Sequence, residues 1–407
     1  MALKSLLFQK NGDVLLNPLK RYTLSGVVVP SQENAIAQIA AGSATDPGRS
    51  RLIPIQGPQD GSTEIYSFTG KEGLVTQGIG SITTDGITTT ITGLGTKFLA
   101  QLQVGSTITT SAGSGTIATI SSDTLATTTV AMAANTAADY FTSIAIAANS
   151  LNQMSVLIND QGWRRYLMNR DVPVKHVFGS NTKPLFIKES LLLETDQTIQ
   201  LQFLNYDTSP ASFAPISEGR KWQMEAMKNQ GVFDYITGLR DRKTYIQPYW
   251  LTLDQRSISI GASGRATGFL TCTGDVTLVL FNVYANVVKT SDSSSAISSV
   301  TVALQDGGTH RSMQTQSIPM EICTGTAENP FRLSSPWIVE PQRFIQADFT
   351  NLSSDPLSVF LTFHGVAVYT GTNYRGSTLT NKNLIREASR MYEAMSTPTI
   401  VPAEPQN

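Results

Sequence analysis

The sequence predicts an all-β chain of two tandem antiparallel β-sandwiches of jelly-roll type, with a small β module inserted in the first and a C-terminal helix. Three observations lead there. Sliding the chain by 146 positions lays Ser155–Trp222 on Thr301–Val368 without a gap, and 15 of the 68 aligned positions are identical, among them Asp160/Asp306, Gly162/Gly308, Gly179/Gly325, Pro184/Pro330, Asn205/Asn351 and Gly219/Gly365. These are turn formers at fixed distances from apolar positions such as Val156/Val302, Ile199/Ile345 and Phe203/Phe349, as two copies of one β fold require, because turn chemistry sets strand register. Second, stretches such as Phe344–Phe349 mostly alternate apolar with polar residues, the mark of a strand with one face on a core. Third, such stretches recur at short intervals over roughly 100–130 residues per copy, which fits a sandwich.

In chain order, residues 1–50 read as an N-terminal arm with a hairpin, Ser5–Phe8 and Val14–Leu16 around Asn11–Gly12, and a β-like stretch Tyr22–Val29. Residues 51–77 and 149–222 form the first sandwich. Phe68-Thr69-Gly70 loosely echoes Cys272-Thr273-Gly274, an offset of 204, so the first half would carry about 58 extra residues. Those extra residues are the Thr-, Ser-, Ala- and Gly-rich stretch 78–148, whose charged residues are Asp85, Lys97, Asp123 and Asp139. Its short alternating runs, Ile87–Ile91, Thr107–Thr110, Thr116–Ile120 and Leu125–Val130, predict a small all-β module.

Gly219–Arg240 has helical spacing and, as residues 223–245, supplies a helical connector to the second sandwich, 246–373. Residues 374–407 hold a helix and a Pro-rich tail. Leu384, Ala388, Met391 and Met395 form one apolar stripe with Ile385 and Tyr392 beside it, either packed on its own domain or docked on a neighbouring subunit.

Composition narrows the function. Charged residues are 15 % and net charge is −1, without a run of five like charges, so the long-range field that gathers nucleic acid is missing. Cys272 and Cys323 encode no disulfide framework and read as buried apolar residues. No apolar run reaches bilayer-crossing length, and the N-terminus does not read as a signal sequence; a soluble product of a cytoplasm is expected.

Chemistry-bearing patterns are sparse. His176, His310 and His364 fall at non-equivalent repeat positions and offer no metal-ligand spacing. Gly93–Lys97 and Gly113–Thr116 lack the P-loop spacing and read as turns, as do Asp160-Gln161-Gly162 and Asp306-Gly307-Gly308. No nucleophile elbow appears, and the repeat-equivalent acids Glu194 and Glu340 suit a shared turn-bonding role better than glycan hydrolysis. No catalytic, cofactor or metal residues are assigned.

The insertion carries a resemblance. Ile91-Thr92-Gly93-Leu94-Gly95-Thr96-Lys97-Phe98, followed by Leu102–Ile108 and Ile117–Leu125, is similar to small β modules in structural proteins of tailed bacteriophages, with Ser106 where an acidic residue is usual. By architecture, two tandem sandwiches resemble double jelly-roll capsid proteins of viruses. These resemblances imply a non-enzymatic structural part of a bacteriophage virion, in or on the capsid, made in the host cytoplasm and contacting copies of itself and other virion proteins. The alternative they leave is a neck, tail, spike or fibre protein whose insert binds a host-surface glycan or protein.

Overall fold

A computed structural model describes residues 25–28, 37–57, 61–73, 76–143, 150–162, 164–180, 182–194, 197–223, 234, 237–238, 240–241, 246–272 and 276–369. The first sandwich begins with β1 (Ser25–Val28), β2 (Ala37–Ile39), β3 (Gly48–Arg49), β4 (Ile53–Gln56) and β5 (Gly61–Glu72). An insertion follows: β6 (Thr76–Gln77), β7 (Ser81–Thr84), β8 (Thr90–Leu94), helix α1 (Phe98–Gln101), β9 (Thr107–Thr110), β10 (Gly113–Ser122), β11 (Leu125–Thr128), β12 (Asn135–Ala138) and β13 (Phe141–Ser143). The chain returns with β14 (Met154–Asp160), β15 (Arg165–Tyr166), β16 (Val172–Pro173), β17 (Leu185–Leu193), β18 (Thr198–Asn205) and β19 (Ala211–Gln223). The second sandwich holds β20 (Ile246–Thr252), β21 (Ile258–Ile260), β22 (Arg265–Thr271), β23 (Val276–Lys289), β24 (Val300–Asp306), β25 (Arg311–Ser312), β26 (Ile318–Pro319), helix α2 (Met320–Cys323), β27 (Phe331–Val339), β28 (Phe344–Asn351) and β29 (Leu357–Tyr369).

Strand order makes both sandwiches jelly rolls. One sheet of the first runs β1-β19-β5-β17, with β2 also on β19; the other runs β15-β14-β18-β3, with β16 on β14 and β4 on β18. In the second, β20-β29-β23-β27 with β21 faces β22-β28-β24-β25 with β26. Both rolls thus wind between two facing antiparallel sheets in the same order, the eight-stranded double Greek key. Alternation places the cores: β28 buries Ile345, Ala347, Phe349 and Asn351 while their neighbours are half-buried. In the first roll Phe178, Phe203 and Phe213 meet at 5.0–5.8 Å between ring centres.

The repeat-equivalent identities each have a backbone reason. Gly162 and Gly308 donate their N–H groups to Asp160 and Asp306 carboxylates at 3.0 and 2.8 Å, closing the same turn. Asn205 and Asn351 donate from Nδ2 to the Ser209 and Asp355 carbonyls at 2.7 Å in both copies, and accept from the Asp207 and Ser353 N–H groups. β5 and β23 each carry a bulge, at Tyr66 and Phe281, facing the step before Gly219 and Gly365. A Cβ on Gly219 would lie 2.5 Å from the Glu64 carbonyl oxygen and one on Gly365 2.0 Å from that of Val279.

The structure corrects three expectations. The duplication reaches further back than the 146-residue alignment, because register across β19 and β29 equates Phe68 with Val283, an offset of 215, not 204. The first copy therefore carries 69 extra residues, and Phe68-Thr69-Gly70 is not the counterpart of Cys272-Thr273-Gly274. Residues 25–50, expected within an arm, supply β1 to β3, since the first roll needs edge strands against β19 and β18 just as the second uses β20 to β22. Gly219–Gln223, expected to begin a helix, continues β19, because pairing on both sides with β1 and β5 outweighs local helical spacing. The hairpin Ser5–Leu16, most of the connector 223–245 and the stripe Leu384, Ile385, Ala388, Met391, Tyr392 and Met395 lie outside the described residues.

Replacing Gly365 by Ala should cost about 1–3 kcal/mol of stability in urea unfolding, because the new methyl group meets rigid backbone across the bulge. Gly261→Ala, where a Cβ meets nothing within 4 Å, should change stability by less than about 0.5 kcal/mol.

Candidate assembly surfaces

Two features distinguish this chain from a pair of independent jelly rolls: a buried junction between them and the inserted sheet. At the junction the β15–β17 side of the first roll packs on the outer face of the β20-β29-β23 sheet. Trp250 and Tyr284 from that outer face belong to the first roll's apolar cluster, both fully buried. The Trp250 backbone N–H donates to the Leu167 carbonyl at 2.9 Å, while its indole stacks on His364 at 4.7 Å and approaches the Phe68 ring at 6.5 Å. A sheet covered on both faces needs apolar or paired residues at every position. β23 accordingly buries all but its two end residues.

Polar groups at the junction fix its register. Asn169 and Thr252 exchange bonds: Nδ2 donates to the Thr252 carbonyl at 2.8 Å and the Thr252 N–H donates to Oδ1 at 2.9 Å. Arg170 donates to the Asp254 carbonyl at 2.8 Å, and Lys183 to Asn329 Oδ1 at 3.0 Å. Arg256 lies 3.5 Å over the Tyr206 ring and donates to Gln153 Oε1 at 3.1 Å. Burial lowers its guanidinium to about 10, against the opposing charge of Tyr206 and Asp171.

His176 and His364 sit here, buried, His176 with Nδ1 at 2.9 Å from Thr362 Oγ1. Their non-equivalence in the repeat follows from the junction's being one-sided, since it meets opposite surfaces of the two rolls. His310 lies outside it, exposed, on a turn with φ 54°. Cys272 and Cys323 are buried free thiols, and burial pushes Cys272 up to about 11. The Glu194 and Glu340 carbonyls accept from the Gln197 and Arg343 N–H groups at 3.0 and 3.1 Å, closing the same turn in both copies. Their carboxylates differ: Glu194 pairs with Arg240, Glu340 with Arg343 at 3.9 Å. Among the described residues no three His, Cys, Asp or Glu side chains gather where they could hold a metal ion, and no helix is long and apolar enough to cross a membrane.

The insertion is a single eight-stranded sheet, β12-β7-β8-β11-β10-β9-β13-β6, wrapped over its own core of Ile82, Ile91, Phe98, Leu102, Ile108, Ile117, Ala126, Met132 and Tyr140. The Gly-Thr-Lys-Phe stretch puts Phe98 at the centre, edge-on to Tyr140 at 5.9 Å, while the Thr96 hydroxyl donates to the Asp123 carbonyl. Ser106 is fully buried and donates to the Gln103 carbonyl at 2.6 Å, so at this position the residue closes a turn. The module meets the first roll where Arg51 donates to the Leu99 carbonyl. Among the described residues, half of the exposed large apolar ones lie on it: Ile79, Ile87, Leu94, Leu99, Val104, Leu125, Val130 and Phe141.

One comparison across the repeat was not visible in sequence. Leu167 and His176 are fully buried and Leu192 is 1 % exposed; at 146 positions on, Met313, Ile322 and Ile338 are 48, 64 and 42 % exposed. The second roll therefore exposes apolar side chains at positions where the first roll buries its own.

No protein-family profile matches this chain, and no curated protein matches it. Among solved structures, the chain is similar to the STIV MCP, with 12 % identity over 84 % of this chain and 97 % of that one, TM-score 0.36. It is also similar to a chain of the atomic structure of Sulfolobus Turreted Icosahedral Virus, with 10 % identity over 88 % and 96 %, TM-score 0.37. A third is from the triple jelly-roll fold and turret assembly of an archaeal virus, with 10 % identity over 86 % and 95 %, TM-score 0.19. The jelly-roll assignment here rests on the strand order above.

Burial pushes the His176 imidazole from 6.5 down to about 3, opposed by a bond to the Ala285 backbone and helped by the Lys175 charge. The native chain holds this ring neutral while the unfolded chain protonates it first. This contribution to stability is therefore complete above pH 6.5 and is lost as pH falls through 6.5 toward 3. His176→Gln should flatten the fall in unfolding midpoint between pH 6.5 and 4, and Trp250→Ala should cost about 3–5 kcal/mol at pH 7 by urea titration.

Proposed function

We propose that this chain is a non-enzymatic structural component of a virus particle, a shell subunit that works by binding copies of itself. The observation that carries the reading is the exposure of Met313, Ile322 and Ile338, the repeat counterparts of side chains that the first roll buries. The internal junction is heterologous, joining one side of a roll to the outer sheet face of the next. The second roll leaves side chains of the first kind of surface open, so a second copy docking there would extend the contacts into a ring or a lattice.

The neutral, β-rich surface supports this, since a net charge of −1 leaves little repulsion between copies. So does the fold, in which stiff sandwiches present fixed edges. The bacteriophage assignment draws on the similarity of the insertion to β modules of tailed-phage structural proteins, and the expected partners are copies of the chain and other virion proteins. A second reading has its own observation: the apolar residues exposed on the insertion make it a candidate attachment surface for a host glycan or protein.

Purified chain should form particles or rings visible by electron microscopy, and Ile322→Asp with Met313→Asp should abolish them while leaving the circular dichroism spectrum unchanged. Particles that persist in the double variant contradict the proposed contact. Replacing 78–148 by a short Gly-Ser linker should leave assembly intact and remove host attachment if the second reading holds.

A further inference from the structure

At the edge of the junction lies a constellation that neither strand pairing nor assembly requires. Lys175 Nζ, from the start of the segment between β16 and β17, donates to Asn152 Oδ1 at 2.6 Å. Asn286, on β23 of the second roll, donates from Nδ2 to the same oxygen at 3.2 Å. The Asn152 amide nitrogen donates in turn to the Ser293 carbonyl at 2.8 Å. Asn152 is 3 % exposed and Asn286 7 %. Two carboxylates, Glu72 at the end of β5 and Glu328, act on the Lys175 charge, and Ser150 holds Glu72 by donating to its Oε2.

Each part has a chemical consequence. When the Lys175 amine turns to attack, the Asn286 amide remains as a donor on the Asn152 carbonyl oxygen, draws electrons from the amide carbon and stabilises an oxyanion on it. Burial lowers the basicity of the Lys175 amine, opposed by Glu72 and Glu328, which favours the free-amine form that can attack. The target carbon lies one carbonyl bond, about 1.2 Å, behind the oxygen that Nζ already touches. The leaving nitrogen is held apart from the nucleophile by its own bond to Ser293.

We propose that Lys175 and Asn152 join in an intramolecular isopeptide bond, completed only when the second roll is docked. Glu72 takes a proton from the Lys175 ammonium, the Nζ–Cγ bond forms, and the tetrahedral centre collapses with breakage of the Cγ–Nδ2 bond. The departing nitrogen recovers the proton from Glu72 and leaves as ammonia, which takes up the second Nζ proton to become ammonium. One ammonium and one primary amide thus give one secondary amide and free ammonium, with no oxidant or cofactor. Asn286 and Ser293 belong to the second roll, so docking assembles the site. The link occurs once: the repeat counterparts of Asn152, Lys175 and Glu72 are Ser298, Glu321 and Val287.

The test is peptide mapping of the folded full-length chain by tandem mass spectrometry. The expected result is one branched peptide joining the Asn152 and Lys175 segments, with an intact mass low by one ammonia, about 17 Da. Lys175→Arg and Glu72→Gln should each lose the branched peptide and regain full mass. Separate Asn152 and Lys175 peptides from folded wild-type protein kept for days at neutral pH would overturn the proposal, as would a mass deficit located at Asn11–Gly12. The wild-type digest decides the matter even if a variant fails to fold.

Discussion

Burial of both faces of one sheet is the constraint on which the rest of this structure depends. The β20-β29-β23 sheet covers its own core with Leu280, Val283 and Phe363 and presents Trp250, Tyr284, Thr362 and His364 to the neighbouring roll. Such a sheet cannot face water, so the second roll acquires its outer surface from the first. The counterpart sheet of the first roll carries Glu64, Ser67, Thr69 and Glu218 at the same register, a polar face that would not serve in that role. Two copies of one fold have thus diverged at their outer faces while keeping their turns.

That divergence gives the chain direction. Arg256, Asn169, His176 and Lys183 all bond across a single junction that runs from one roll to the next, and no symmetry operation returns it on itself. A directional contact repeats, which is what a shell-building subunit uses. The insertion breaks the pseudo-symmetry in a second way, by hanging a separately cored sheet from the first roll alone.

The sequence was legible where local chemistry sets geometry. Asp160–Gly162 and Asp306–Gly308, Gly219 and Gly365, and the strand Phe344–Asn351 could be read because a turn, a bulge or an alternation leaves a mark on neighbouring residues. Long-range pairing left no such mark. The β-like stretch Tyr22–Val29 was legible, but not that β1, β2 and β3 join the sheets, which follows only from the open edges that β18 and β19 offer. The offset of 215 appears only once β5 is laid on β19, since that stretch shares almost no residue types with β23. The junction was illegible for the same reason: His176 looks isolated in sequence and comes within reach of Tyr284 and Thr362 only through the packing of two rolls.

The shared sheet ties the two rolls into one cooperative unit. Native-state hydrogen exchange read by mass spectrometry tests it most directly. If the claim is right, the slowest amides of β5 and β19 and those of β23 and β29 open with the same free energy and the same denaturant slope, because neither roll unfolds without the other. Two separate plateaus, with the second roll's strands opening independently of the first's, would contradict it.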